Sequence, residues 1–371
     1  MGKEFKNLFL FYTSYQWFNR ISTAILPTIF LASNLTLQEM VFGIALCFTA
    51  QSLLLLFVRK LSSKLSWKIA LICVAIYICL IISIKSPLQF YLGSSINGFA
   101  LFFFFVVYNI AHFANTPKRK RGHSSALMFA IPSAIGVVAP IIAGFFAQLN
   151  VTYLWAISLA SFILSFSFIN RQEDFKVNID IRKSLNSIEA TRALIFIEGV
   201  WEALIFAVIP IYTLYFIQKP LNYGVFASYL AVLSVIANLT LGRLTDKLQK
   251  RSVFLFPLTI IMGVATTLFA VFPQNLTYWI IMTGVIQFLL PLFWNLTMAM
   301  VVDSHANLKL AIPGREILLA AGRTLGASFV IVSLCLEPYP HYIFILLGII
   351  MFAFTGVLYY NKHLTKRHSY L

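Results

Sequence analysis

The stretch Gly242 to Arg251 reads Gly-Arg-Leu-Thr-Asp-Lys-Leu-Gln-Lys-Arg and forms a charged turn between two long apolar runs. A related stretch lies about half a chain earlier, where Lys60 to Lys68 reads Lys-Leu-Ser-Ser-Lys-Leu-Ser-Trp-Lys. When Leu61 is aligned with Leu244, the hydroxyl residues and lysines that follow also coincide, and Pro27 and Pro210 precede the two stretches at the same offset. This repetition predicts a chain built from two similar halves.

The composition predicts that most of the protein surface faces lipid. Of the 371 residues, 60% are hydrophobic and only 11% are charged, whereas about a quarter of the residues are charged in soluble domains. The net charge is +16, and the basic residues lie in short loops between apolar runs. This distribution is typical of membrane proteins that follow the positive-inside rule. We therefore expect an all-α integral membrane protein and exclude nucleic acid as a partner.

Twelve apolar segments have roughly the 20 residues needed to cross a bilayer. The predicted spans lie near 8–32, 39–58, 67–85, 88–112, 123–148, 151–170, 190–217, 221–243, 252–272, 276–302, 314–336 and 340–361. The first is interpreted as a retained span rather than a signal peptide, because it carries Gln16, Asn19 and Arg20 and has no small-residue cleavage site.

The basic residues also predict orientation and domain boundaries. Nearly all of them fall on one side of the spans, so both termini are expected in the cytoplasm, most simply across a prokaryotic inner or plasma membrane. The polar stretch 171–189 predicts a cytoplasmic linker, helical in part. It divides an N-terminal bundle, 1–170, from a C-terminal bundle with a short tail, 190–371.

The charged turn resembles the signature loop of the major facilitator superfamily of transporters. Gly242, Arg243, Asp246 and Arg251 stand at the positions of that motif, and in the first-half copy Ser63 replaces the aspartate. The glycines and proline of 136–144 resemble the fifth-helix motif of the same family. The resemblance implies twelve helices in two pseudo-symmetric six-helix bundles, with the charged loop acting as a cytoplasmic gate.

Four charged residues fall well away from the ends of the predicted spans, where charge is costly unless it is paired or faces a wet cavity. They are Arg20, Glu198, Glu202 and Arg323. The two glutamates are four residues apart and therefore share one helix face. Two interpretations stay open: a structural ion-pair network that locks the bundles together, or a substrate and proton site in which a glutamate takes a proton and frees Arg20 or Arg323.

Polar residues spaced three or four apart mark other spans that the resemblance places around a central cavity. The remaining predicted substrate- or proton-binding residues are Gln16, Asn19, Trp201, Tyr108, Asn109, Gln287, Trp294 and Asn295. At the start of span eleven, Arg315 and Glu316 are expected either to form a gate with Asp303 or to be surface charges. His112, at the end of span four, is expected to be solvated.

These features together predict a secondary active transporter that works by alternating access and is coupled to protons. Drug or metabolite efflux and anion-type uptake both fit this prediction. A lipid flippase or scramblase on the same scaffold is the alternative, and an enzyme is not expected. We expect no cofactor and no metal site, and as partners a small-molecule substrate and membrane lipids. The protein is expected to be monomeric.

Overall fold

The computed structural model describes residues 3–114, 121–247, 252–304, 307–336 and 341–361. The helices of the first half are α1 (Lys3–Thr23), α2 (Leu26–Ala32), α3 (Leu37–Phe57), α4 (Ser63–Ile81), α5 (Pro87–Ala114), α6 (Arg121–Leu149) and α7 (Val151–Ile169). Those that follow are α8 (Ile181–Ser187), α9 (Arg192–Trp201), α10 (Ile209–Tyr212), α11 (Pro220–Lys247), α12 (Ser252–Leu268), α13 (Leu276–Ser304), α14 (Leu308–Leu336) and α15 (Tyr342–Tyr359). The two strands are β1 (Lys60–Ser62) and β2 (Lys176–Asn178).

Ten helical segments of the described ranges are long and apolar enough to cross a membrane: α3 to α7, α11, α13 to α15, and the run Glu189–Tyr215 that contains α9 and α10. Large apolar side chains such as Leu53, Ile163 and Leu239 are exposed on their outer faces, as expected for contact with lipid. The chain is therefore a multi-pass integral membrane protein. The other two predicted spans correspond to α1 with α2 and to α12, so the number twelve stays a prediction.

Two of the predicted spans are interrupted near a proline. The first is broken at Ala24–Ile25, between α1 and α2, and Pro27 stands in the first turn of α2. The seventh changes from α9 into a π-helical segment, Leu204–Val208, just before Pro210. Proline has no N–H to donate and clashes with the preceding turn, so local π and 3-10 geometry satisfies the freed backbone groups.

Helices of the first half pack not only on one another but also extensively on α9 to α15. The main contacts between them join α3 to α14 and α6 to α11, with smaller ones joining α5 to α14 and α6 to α13. The α6–α11 contact brings backbone against backbone, because a Cβ added to Gly224 would lie 2.2 Å from the Pro140 carbonyl oxygen. The glycine and proline of the fifth-helix motif therefore serve close helix packing here.

The linker is ordered and touches both halves. Its strand β2 pairs antiparallel with β1, which belongs to the first-half copy of the charged loop, and Leu61 lies opposite Val177. Its helix α8 packs on α14, where the Ser184 carbonyl oxygen would lie 2.5 Å from a Cβ on Gly314. The linker thus connects the α3–α4 loop with the start of α14.

Candidate functional site

Glycines bring α9 and α14 into backbone contact and thereby bring their charged side chains together. A Cβ on Gly322 would lie 2.4 Å from the Phe196 carbonyl oxygen, and one on Gly199 would lie 2.5 Å from that of Leu319. Gly326 makes the same kind of approach to Val200. Because no side chain separates the helices here, glutamates on α9 can reach arginines on α14 directly.

Glu202 and Arg323 form a buried ion pair at the centre of the membrane-spanning segments. The Arg323 Nε–H donates to Glu202 Oε2 over 2.6 Å, and the Trp294 indole N–H donates to Glu202 Oε1, also over 2.6 Å. Glu202 stands thirteen residues from either end of its span, Glu189–Tyr215. Both carboxylate oxygens therefore hold strong, charge-assisted hydrogen bonds at the middle of the bilayer.

Aromatic rings from both halves surround the Arg323 guanidinium. It lies 5.3 Å from the ring centroid of Phe48 on α3 and 4.9 Å from that of Phe206 in the π-helical segment. The rings of Phe206 and Trp294 are stacked with centroids 6.4 Å apart. Cation–π contact of this kind stabilises an arginine away from water and does not depend on its carboxylate partner.

A second ion-pair group lies on the same two helices. Arg315 bridges two acids, with its Nη2 3.0 Å from Glu198 Oε1 and its Nη1 3.3 Å from Glu316 Oε1. The Thr297 hydroxyl also donates to Glu198 Oε1, over 3.0 Å. The expectation of surface charges at a helix start is wrong for Arg315 and Glu316: α14 begins at Leu308, six residues before the predicted boundary, and both side chains are buried.

We refer to Glu198, Glu202, Arg315, Glu316 and Arg323 as the charge cluster. Three carboxylates oppose two guanidinium groups, so the fully ionised cluster carries a net charge of −1. Asn109 on α5 connects it to the first half, donating its Nδ2–H to Glu316 Oε1 over 3.3 Å, while its own buried Oδ1 has no hydrogen-bond partner among the described residues. An unbalanced buried charge is costly and favours uptake of a proton or a cation.

Arg20 stands apart from this cluster. Among the residues that the structure describes, no acidic side chain lies within ion-pair distance of Arg20, and the side chain is exposed. The other polar residues predicted for the site on α1 are less exposed, since Gln16 is buried and Asn19 is half-buried. The predicted release of Arg20 by a glutamate therefore has no counterpart in this geometry, whereas release of Arg323 does.

Tyr108 belongs to a buried aromatic stack between α1 and α5. Its ring lies on that of Tyr12 with centroids 4.1 Å apart, and its hydroxyl is 3.2 Å from His112 Nδ1. His112 is 4% exposed, so the expectation of a solvated histidine is wrong. The sequence offered one signal of this, because Tyr108 and His112 are four residues apart on one helix face.

The amide residues of α13 pair with α11. Gln287 Nε2 donates to the Ser234 hydroxyl over 2.6 Å, and Asn295 Nδ2 donates to Asn238 Oδ1 over 3.4 Å. Trp201 lies elsewhere: it is fully buried and its indole N–H donates to Thr266 on α12 over 3.1 Å. Trp201 thus points towards α12, because adjacent residues on a helix point about 100° apart, and its role as a binding residue stays a prediction.

The side chains of the loop part of the predicted gate lie outside the described residues. Gly242, Arg243 and Asp246 belong to α11, but their side chains lie outside the described part, as does Arg251 entirely. The side chain of Asp303, near the end of α13, is likewise outside it, so its pairing with Arg315 stays a prediction. No group of three or more His, Cys, Asp or Glu side chains suited to a metal occurs within the described ranges.

The fold is similar to that of solved transporters. A bacterial homologue of the iron transporter ferroportin, in its outward-facing state, aligns with a TM-score of 0.70 at 15% identity over 97% of this chain and 100% of that one. The human organic anion transporter MFSD10 aligns with a TM-score of 0.72 at 11% identity over 96% and 100%. No family profile and no curated protein sequence matches the chain. The resemblance to the major facilitator superfamily is thus confirmed at the level of the fold.

Proposed function

We propose that this protein is a secondary active transporter that carries a small organic anion across the membrane by alternating access, coupled to protons. In this proposal twelve spans form two six-helix bundles, 1–170 and 190–371, and both termini are cytoplasmic. The similar structures include ferroportin homologues described as outward-facing and inward-facing, so the same fold supports both states of such a cycle.

The observation that carries the proposal is the buried Glu202–Arg323 pair. An ion pair at mid-membrane is costly to build, and replacing such a pair with apolar residues is often neutral or stabilising. Stability alone is therefore a weak reason for its presence. Its position, between the Phe48 ring of the first half and helices of the second, supports a role where two moving halves would meet.

Protonation of Glu202 provides the coupling step. A neutral carboxyl no longer attracts the Arg323 guanidinium, which stays held by the Phe48 and Phe206 rings and becomes available to a substrate anion. The net charge of −1 on the charge cluster supports uptake of one positive charge in the resting state. Glu198 differs, because Thr297 and Arg315 both hold the same oxygen.

Arg20 supports an anionic cargo. An arginine within a membrane-spanning helix marks a substrate or ion pathway when no protein carboxylate neutralises it. Arginine also binds carboxylate and phosphate groups through two parallel hydrogen bonds, which suits it to recognise them. The organic anion described for MFSD10 is consistent with this assignment. Iron and other metals, described for other similar structures, would need additional oxygen or nitrogen ligands.

A thermal-unfolding screen of the purified protein in detergent tests the proposal. The ligands are small aromatic and aliphatic carboxylates, matched organic cations of the same size, and common lipids, each at one acidic and one alkaline pH. A ligand that binds the native state raises the midpoint according to its occupancy. We expect organic anions to stabilise the protein and, if transport is coupled to protons as proposed, to do so more strongly at acidic pH.

Arg20→Gln and Arg59→Gln form a matched pair for the same screen. Both remove one positive charge, but Arg59 lies in the loop before β1 and its side chain is exposed. Anions should lose their effect in Arg20→Gln and keep it in Arg59→Gln. Stabilisation by cations alone would contradict the anionic cargo, and stabilisation by lipids alone would favour the flippase.

A further inference from the structure

The linker contains a segment, Gln172–Ile188, that we call the strap. Its first part is fixed to the first half: the Gln172 side chain donates to the Asn7 carbonyl oxygen over 3.1 Å, and the Ile179 N–H donates to the Arg59 carbonyl oxygen over 2.7 Å. Between these points β2 pairs with β1, and Val177 is fully buried. The strap is therefore joined by backbone hydrogen bonds to the α3–α4 loop.

Asp174 makes the most concentrated contact of the strap. One carboxylate oxygen, Oδ1, accepts from the Ser62 hydroxyl over 2.8 Å, the Ser63 hydroxyl over 3.1 Å and the Lys64 N–H over 3.2 Å. This oxygen lies at the N-terminus of α4, where the helix dipole favours negative charge. The first-half copy of the charged loop has Ser63 in place of an aspartate, and here the linker supplies the carboxylate from a distant position in the chain.

The second part of the strap packs on α14 next to the charge cluster. Only Asp180 separates Ile179 from helix α8, which packs on α14 at Gly314. Gly314 precedes Arg315, the residue that bridges Glu198 and Glu316. Ile188, at the end of the strap, is fully buried with Ala311 and Leu319 of α14. A displacement of β2 would therefore pull on the helix turn that carries Arg315.

We propose that Asp174 is a positioning residue that anchors the strap to the first half, so that relative movement of the halves is transmitted through α8 to Arg315. This inference rests on the proposed function for its role in a transport cycle, but the mechanical coupling itself does not. When the halves separate on the strap side, the Asp174 contact to α4 and the α8 contact to α14 cannot both persist, because one residue joins the two parts.

The contact of Asp174 with the start of α4 does not change around neutral pH. Hydrogen bonding from the Ser62 hydroxyl, and then from the Lys64 N–H, lowers the pKa of Asp174, and the Lys64 ammonium adds to the effect. A carboxylate with a lowered native pKa stabilises the fold above its unfolded pKa and loses that effect as the pH falls through the native pKa. Any pH dependence near neutrality must therefore arise from a group other than Asp174.

Hydrogen–deuterium exchange of the full-length protein in lipid nanodiscs tests the coupling without any substrate. The variants are Asp174→Ala, with Glu173→Gln as the control. Glu173 is exposed, and its side chain makes no contact within the described residues. Loss of a helix cap accelerates exchange about fivefold to tenfold. We expect such acceleration at 62–65 and also at 181–187 and 308–316, and no change in the control.

The alternative outcome is acceleration at 62–65 alone, which would reduce Asp174 to a local helix cap and overturn the proposal. A second variant acts from the other end: Gly314→Ala places a Cβ 2.5 Å from the Ser184 carbonyl oxygen and displaces α8. Coupling is reciprocal, so this variant should also accelerate exchange at 62–65. These results do not depend on the ligand screen, so failure of the transporter proposal would be seen separately.

Discussion

Gly322→Ala tests whether the close contact of α9 and α14 holds the charge cluster together. The new Cβ would lie 2.4 Å from the Phe196 carbonyl oxygen, 2.9 Å from Gly199 Cα and 2.9 Å from the Val200 N. All three atoms belong to the backbone, so no flexible side chain can move aside. Ordinary contact begins at 3.4 Å, and the helices must therefore separate by about 1 Å.

The separation would break the hydrogen bonds within both ion pairs and leave the charges about 4 Å apart or less. If the side chains follow their backbones, the Arg323–Glu202 contact lengthens from 2.6 to about 3.6 Å and the Arg315–Glu198 contact from 3.0 to about 4.0 Å, beyond hydrogen-bond range. Overpacking costs about 1–3 kcal/mol, and each lost hydrogen bond between charged groups costs about 1.5–3 kcal/mol. We expect the free energy of unfolding to fall by at least about 3 kcal/mol.

Thermal unfolding in detergent provides the assay, with Gly356→Ala as the matched control. Gly356 also lies within a membrane-spanning helix, but a Cβ there meets no atom within 4 Å. Alanine should stabilise that helix by about 0.5–1 kcal/mol relative to glycine. Equal unfolding midpoints for the Gly322→Ala and Gly356→Ala variants would refute the assignment of the α9–α14 contact as the support of the cluster.

Three further predictions concern single groups. Glu202→Gln and Arg323→Gln should each destabilise the protein by about 3 kcal/mol, and the double variant by clearly less than the sum; additive midpoints in a thermal double-mutant cycle would exclude direct coupling. Trp201→Phe should lower the free energy of unfolding by about 1 kcal/mol, the value of the hydrogen bond from Trp201 to Thr266, and should leave stabilisation by anions unchanged. Loss of the stabilisation by anions would support Trp201 as a binding residue. Protection from exchange at 62–65, taken relative to the intrinsic amide rate at each pH, should stay constant around neutral pH and fall only below the usual pH range of carboxyl groups, because the pKa of Asp174 is lowered; a loss of protection near neutrality would contradict this.

The sequence was sufficient for the features that depend on local spacing. Segment length and hydrophobicity predicted the membrane-spanning helices, and a separation of four residues predicted that Glu198 and Glu202 share a face. The observed pairing of Glu202 with Arg323 agrees with their prediction as intramembrane charges. The pairing of each arginine with a glutamate depends on how α9 and α14 are offset along their axes. The spacing of residues within either helix does not determine that offset.

The errors have a common physical cause in tertiary packing. The predicted span begins at Gly314, yet α14 begins at Leu308, includes Pro313 and buries Arg315. The carboxylate of Asp174 caps α4 only because β2 pairs with β1, and its contacts lie 110 to 112 residues apart in the chain. Contacts of this separation are determined by the fold and leave no periodic pattern in the sequence.

The position of Glu202, thirteen residues from each end of its span, has an electrical consequence. A proton that reaches the middle of the bilayer crosses about half of the membrane potential. One elementary charge moved across 100 mV gains about 2.3 kcal/mol, so half of that drop is worth about 1.2 kcal/mol. Since about 1.4 kcal/mol corresponds to a factor of ten, 100 mV would change the occupancy of a single charge bound at this depth by nearly an order of magnitude. The proposed coupling step would therefore respond to the membrane potential.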